Sequence, residues 1–156
     1  MTPATNQLKH KKVPFKILQY QHNANASSFG LEAVEKLSLE AEQVFKTLVV
    51  CCDTNQLAVA IVPVSLKLNL KALAKMLKVK KVKMADAKRV ETSTGYVLGG
   101  VSPLGQKKPL STVIDASAEK FEQIYVSGGR RGLEIALTPK DLCQQCQAIF
   151  ANISGG

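Results

Sequence analysis

The chain has 156 residues, of which 46% are apolar and 21% charged, so it is long enough for one domain with a real core and too apolar for a disordered tail. Lysine and arginine number 21 against 12 aspartates and glutamates, a formal charge of +9 that favours a polyanionic partner, nucleic acid or an anionic surface. No run is long enough to span a bilayer and Met1–Thr5 lacks a basic-then-apolar leader, so the expected compartment is the cytoplasm, with no membrane partner.

Thr2 as N-cap and Pro3 at the first helical position open a short helix through about Lys11, and Val13-Pro14 ends it. Phe15 to Tyr20 reads as a strand, and His22 to Ser28 as a polar loop. Ala33, Val34 and Leu37 recur at helical spacing, which predicts a helix from about Leu31 to Leu37, with Ser38 placed to cap a further turn.

Val44 to Cys51 is apolar on both alternating faces, the signature of a strand buried on both sides. Lys46 is its only charge, and it shares a face with Val44 and Leu48. An ammonium group there reaches water, finds a counter-ion, or lines a cavity. The plainer reading is a lysine snorkelling from a strand end.

Asp53 to Gln56 is a turn, and Leu57 to Val62 a second buried strand, making a hairpin with the first. Asn69 caps a helix through about Leu77, with Leu70, Leu73, Ala74 and Leu77 on one face. Lys78 to Lys83 alternates lysine with valine and reads as an edge strand, its wet face serving either against sheet-to-sheet pairing or for phosphate binding. A short helix follows from Ala85 to about Glu91.

Ser93 to Gly105 holds four glycines and a proline, yet Tyr96, Val97, Leu98 and Val101 keep it apolar. Glycine in apolar surroundings marks a tight turn, or a place where bare backbone approaches something closely and offers N–H groups to an anion. Gln106-Lys107-Lys108 adds a cationic spot. Thr112 to Ile114 is a short strand and Ala116 to Phe121 a helical turn. Ile124–Ser127 and Leu133–Leu137 flank Gly128–Gly132, a hairpin with a basic glycine-rich tip that carries Arg130 and Arg131. Thr138-Pro139 opens a last helix to about Phe150, and Ser154–Gly156 frays.

Cys51 and Cys52 are strand neighbours on opposite faces, and Cys143/Cys146 has no second pair to complete four metal ligands, so passive reduced thiols are expected. His10 and His22 have no neighbouring nucleophile or carboxylate. No metal or cofactor is expected. Hairpins between irregularly spaced helices argue against a doubly wound parallel sheet. The expected fold is α+β: a single domain over 1–156, with a curved mixed sheet or partly open barrel surrounded by short helices.

Four segments together carry a resemblance: Phe29-Gly30, Val44–Leu48, Ser93–Lys108 and Tyr125–Leu133. They resemble the YbaK family of free-standing aminoacyl-tRNA deacylases, which is similar to the editing insert of bacterial prolyl-tRNA synthetases, over nearly the whole chain. The branch that removes cysteine from the proline tRNA is the nearest. The resemblance implies a mixed-sheet domain with no metal and no covalent enzyme intermediate, which cuts the ester between a wrong amino acid and the terminal ribose. It places Lys46 on the family's essential lysine and Gly99-Gly100 on the pair lining the aminoacyl pocket. Tyr20, Phe29, Thr47, Ser127 and Gly128 fall near that pocket. The partners implied are an aminoacyl-tRNA and prolyl-tRNA synthetase.

The residues fit this reading on their own terms. Backbone N–H groups near Gly99-Gly100 suit a developing oxyanion, and Lys46 suits a phosphate or the substrate's polar end. Lys80, Lys107, Lys108, Arg130 and Arg131 suit sequence-independent phosphate contacts. The competing reading is a non-catalytic tRNA- or synthetase-binding module of the same fold. Water, a ribose hydroxyl and a substrate thiol all stay open as the attacking group, and alanine stays open beside cysteine as the amino acid removed.

Overall fold

Thr2 caps the first helix, α1 (Pro3–His10): its Oγ1 accepts from Thr5 N–H at 3.2 Å while Thr5 Oγ1 accepts from Thr2 N–H at 3.0 Å. The computed structural model describes residues 1–23 and 29–155, and of Phe29 the backbone alone. The loop expected over His22 to Ser28 therefore lies largely outside the described residues. In chain order α1 is followed by β1 (Lys16–Gln19), α2 (Phe29–Leu37), β2 (Phe45–Cys52), β3 (Leu57–Pro63) and β4 (Lys67–Leu68). Then come α3 (Leu70–Met76), β5 (Val82–Met84), α4 (Ala87–Thr94), β6 (Ser111–Asp115) and a 3-10 turn (Ala116–Lys120). The hairpin β7 (Ile124–Ser127) and β8 (Leu133–Leu137), α5 (Pro139–Cys146), β9 (Ile149–Ala151) and β10 (Ser154–Gly155) complete the chain.

The main sheet has the order β5-β2-β3-β6-β9 and is mixed, with β5, β2 and β3 antiparallel and β3, β6 and β9 parallel. A second, antiparallel sheet runs β1-β8-β7, and β10 pairs with β4. The expected α+β class with a mixed sheet holds, and the sheets stay open rather than closing into a barrel. A parallel bridge from Val44 to Tyr125 ties the start of β2 to β7, which brings the two larger sheets together at Lys46.

β2 and β3 are buried on both faces, as their runs require. Phe45, Val49, Val59 and Ile61 enter one core with Val126 and Ile135 of the hairpin. Val50, Cys52, Ala58, Ala60 and Val62 enter a second core with Leu73 and Ile153. Two strands thus separate two apolar masses, and a polar group on them has little water to turn to.

Several boundaries differ from the expectation. Helix α5 stops at Cys146 instead of near Phe150, because Gln147 turns left-handed (φ 51°) and its N–H bonds back to Cys143 and Gln144. Ile149–Ala151 then joins β6 as a parallel edge strand. Ser154 and Gly155 do not fray. Ile153 is fully buried, its N–H donates to Asp115 Oδ1 at 3.0 Å, and its carbonyl accepts from Asn69 N–H at 2.7 Å. Ser154-Gly155 pairs with β4. Ser38 ends α2 rather than starting a turn, at φ 54°. Lys78, also left-handed (φ 59°), ends α3, so only Val82–Met84 of the lysine–valine stretch is strand, at the predicted edge. Helix α4 starts later than expected, capped by Asp86, and runs on to Thr94.

Asp115 is 3% exposed and also caps the 3-10 turn through Ser117. Replacing it with alanine strands the Ile153 amide, at a cost of about 1–3 kcal/mol for one buried unsatisfied group. Asp115→Ala is expected to lower the denaturation midpoint and to speed hydrogen exchange at Ile153 ahead of the β3 amides. Equal exchange at both would show that Asp115 does not hold the tail.

Candidate active site

A cavity of about 310 Å³ opens where the start of β2, the β7–β8 tip and the glycine-rich segment meet. Tyr20, Lys46, Thr47, Gly99, Ser127, Arg130 and Arg131 line it, seven residues singled out from the sequence in four separate regions. Gly30, Leu98, Val101 and Glu134 complete the parts of its wall that matter below.

Lys46 is the second residue of β2, paired with Val62 of β3. It is half-buried and makes no ion pair among the described residues. Burial pushes its pKa down, and the charge of Lys67 pushes the same way. Lys46 is one of the residues that line the cavity. Thr47, its neighbour, carries a buried Oγ1 that has no hydrogen-bond partner among the described residues.

The second wall is Leu98-Gly99. A turn closes with Gly100 N–H on Val97 carbonyl at 3.0 Å, and Gly99 takes φ 88°, a conformation that a side chain strains. Arg131 donates to the Leu98 carbonyl at 3.1 Å, pinning this turn to the hairpin tip. Gly100 is not part of the lining. A Cβ built on it would lie 2.9 Å from Arg130 Cα, so its bareness serves backbone packing. Its N–H is also committed to Val97, which removes it as an oxyanion donor. The N–H groups of Gly99 and Val101 meet no acceptor among the described residues, and both residues line the cavity.

The third wall is the hairpin. Ser127 on β7 stands directly across from Glu134 on β8, and Tyr20 N–H bonds to Gly132 carbonyl at 2.9 Å, which hangs Tyr20 beside them. Gly128 also lies off the lining. Its carbonyl accepts from Thr2 Oγ1 at 2.5 Å, and its N–H donates to Leu133 carbonyl at 2.8 Å, so it anchors the tip to the cap of α1. Phe29 opens α2 next to Gly30, and its side chain lies outside what is described. Lys80, Lys107 and Lys108 are exposed and do not line the cavity. The Lys107 and Lys108 amides bond to Thr94 and Ser93 carbonyls at 2.9 and 3.0 Å, closing the glycine-rich loop on the end of α4.

Glu134 was not singled out from the sequence. It is 8% exposed, and burial pushes its pKa up to about 8. Its signal was present: it is the one charge in the buried run Leu133–Leu137, as Lys46 is in its own run. Tyr20 is raised to about 12, first by burial and then by the charges of Glu134 and Glu32.

Among the described residues the lining holds no histidine or cysteine. Among the described residues no group of three or more His, Cys, Asp or Glu side chains is placed to hold a metal ion. No helix among them is long and apolar enough to cross a membrane.

The family model described as "Aminoacyl-tRNA editing domain" matches residues 24–144. A protein of Enterococcus faecalis named "Putative Cys-tRNA(Pro)/Cys-tRNA(Cys) deacylase EbsC" is 36% identical over 98% of this chain and 93% of its own length. Two solved structures share the fold: the hypothetical protein APE2540, with a TM-score of 0.86 at 23% identity over 98% of this chain and 99% of that one, and "a putative trans-editing enzyme for prolyl tRNA synthetase", with a TM-score of 0.83 at 21% identity over 100% and 99%.

Glu134 ties stability to pH. Between the ordinary carboxylate range and about 8, the folded chain holds a proton there that the unfolded chain has released. Stability therefore falls as pH rises through that window, by at most about 1.4 kcal/mol per unit. Glu134→Gln is expected to match the native chain near pH 4 and to gain on it steadily towards pH 8, read as melting temperature. Parallel curves for the two proteins would show that the Glu134 carboxyl titrates normally.

Proposed function

This chain belongs to the aminoacyl-tRNA editing domain family, and on that premise we propose that it removes cysteine from the proline tRNA in the cavity between Lys46, Gly99 and Ser127. It is an aminoacyl-tRNA deacylase acting in trans, a hydrolase of the ester that joins a wrong amino acid to the terminal ribose. The observation that carries the residue assignment is the convergence of Lys46, Gly99 and Ser127 on one small cavity.

The cavity's roughly 310 Å³ lies at the low end for ligand pockets, which suits an amino acid and its ribose rather than a whole nucleotide chain. Attack on the ester carbonyl places negative charge on its oxygen. The N–H groups of Gly99 and Val101 are the donors free to receive that charge, and the loss of one such donor costs about 3–4 kcal/mol in acyl-transfer enzymes. Lys46, desolvated and without a counter-ion, holds the terminal phosphate and so fixes the ester against those donors. The attacking oxygen or sulfur comes from water or from the substrate itself. The EbsC relative's name supports cysteine as the group removed.

The rest of the tRNA meets a cationic edge. Lys78, Lys80, Lys81 and Lys83 are all exposed, and none is in an ion pair among the described residues. Lys83 pairs with Cys51, five residues along β2 from Lys46, which is about 17 Å at 3.3 Å per residue. That span suits an acceptor stem whose unpaired end enters the cavity. A complex with prolyl-tRNA synthetase supplies the choice of tRNA in this reading, and the cytoplasm is the compartment that the substrate implies.

Lys46→Ala is expected to lower kcat/KM for Cys-tRNA(Pro) about 100-fold or more, since misplacement of the ester by 1 Å can cost that much. Its melting temperature should stay level or rise, because a half-buried cation without an ion pair is removed. Full activity would remove Lys46 from the site. Mischarged tRNAs carrying cysteine, alanine and serine, offered side by side, test the substrate; faster loss of alanine would replace cysteine with alanine. Changing Lys80, Lys81 and Lys83 to Gln should weaken binding to every tRNA alike and flatten the slope of log K against log salt by about one for each phosphate no longer neutralised. An unchanged slope would move the tRNA off this edge.

A further inference from the structure

Among the described residues the cavity holds one carboxyl group, and the proposed reaction gives it no task. Glu134 shares the lining with three cations, Lys46, Arg130 and Arg131, yet its carboxyl group pairs with none of them and accepts no hydrogen bond among the described residues. The residue is 8% exposed, so the water its carboxyl group meets is that of the cavity, and a group so little hydrated gains from a cationic partner. It is held opposite Ser127 by the β7–β8 register and beside Tyr20, whose hydroxyl responds to its charge. The site thus keeps an acceptor for a cation and withholds its own cations from it.

An aminoacyl ester has opposite charges at its two ends: phosphate on the nucleotide side, and an α-ammonium one carbon from the carbonyl under attack. We propose that Glu134 binds the α-ammonium of the aminoacyl group, so that the ester is held between this carboxylate and the cationic wall. This rests on the deacylase reading above and names how that site recognises its substrate. Among the described residues the lining contains no other acidic side chain for the role.

The protons balance whichever form arrives. A neutral amine takes the proton from the Glu134 carboxyl as it binds. An ammonium keeps its own, and the carboxyl proton leaves to water. Both routes end in one carboxylate beside one ammonium, which restores a partner to each buried charge. An amide at the same nitrogen has neither a positive charge nor a basic lone pair. It would leave the carboxyl buried and unpaired, so the site rejects an N-blocked chain. A peptidyl-tRNA is such a chain, and it passes the cavity uncut.

The test uses the full chain with Cys-tRNA(Pro) and N-acetyl-Cys-tRNA(Pro). The native protein is expected to prefer the free amine at least 100-fold in kcat/KM. Glu134→Gln should lose mainly through KM on the free-amine ester and bring the ratio of the two esters within about 10-fold. Glu134→Asp should recover part of the preference. A merely structural role would lower both esters together, so an unchanged ratio in Glu134→Gln overturns the proposal. The native protein gives a second reading that needs no variant: cysteine methyl ester should compete with Cys-tRNA(Pro) at least tenfold better than its N-acetyl form. Equal competition overturns the proposal too. If the native protein cuts another aminoacyl-tRNA but not Cys-tRNA(Pro), the cysteine reading falls and the ratio is read on that ester. If it cuts none, the deacylase reading and this one fall together.

Discussion

Strand β2 has an apolar core on each face, and Lys46, the one charge it carries, stands in the lining of the cavity. The same holds for Glu134 on β8, a strand in which every residue is buried. Neither charge can be relieved by pairing with the other, because the sheets hold them on different walls. What would be wasteful in a structural core becomes useful at a site, where the missing partners arrive with the ligand. The opposite shifts of the two groups, Lys46 down and Glu134 up, have one physical origin in lost water.

The wall facing these strands is placed by close backbone contacts. The turn at Val97–Gly100 presses its backbone on Arg130, and further along the same segment Gly105 presses on the carbonyl carbon of Pro3, 2.4 Å from where a Cβ would stand. Tyr96 is buried in the main core and donates to Leu104 carbonyl at 2.6 Å, which folds the segment over itself. Thr2, the helix cap, reaches the hairpin tip at Gly128. The N-terminal helix, the glycine-rich loop and the hairpin therefore brace one another through backbone contacts. A wall built this way has little rotamer freedom, and its N–H donors are preorganised.

The parts of this arrangement that obey short-range rules could be read from the sequence. The capping box at Thr2, the double-faced strand around Lys46 and the hairpin about Gly128–Gly132 each follow from a few neighbouring residues. The parts that were missed depend on partners far along the chain. Gln147 turns left-handed without being glycine, so nothing local marked the end of α5 or the strand after it. Ser154-Gly155 read as part of a fraying tail, because its hold comes from β4, and that of Ile153 beside it from Asp115, dozens of residues away. Gly100 and Gly128 were placed on the pocket and in fact stand off its lining, since which side of a glycine meets a neighbour is a tertiary fact. Glu134 could have been found by applying to β8 the reasoning used for Lys46, one charge in a buried strand.

The proposed reading has a particular consequence for selectivity. In it the site's contribution is to hold an ester between fixed charges and fixed donors, and any amino acid small enough to enter gains the same hold. The carboxyl of Glu134 does not by itself separate cysteine from proline, because the ring nitrogen of proline also carries a positive charge. Discrimination then has to come from what the side chain brings: its fit to the space bounded by Val44, Leu98 and Val101, or a group able to attack the carbonyl next to it. Proline brings no such group and cysteine brings a thiol. Charge in the wall would orient the ester, and the misplaced amino acid's own chemistry would decide whether it is cut.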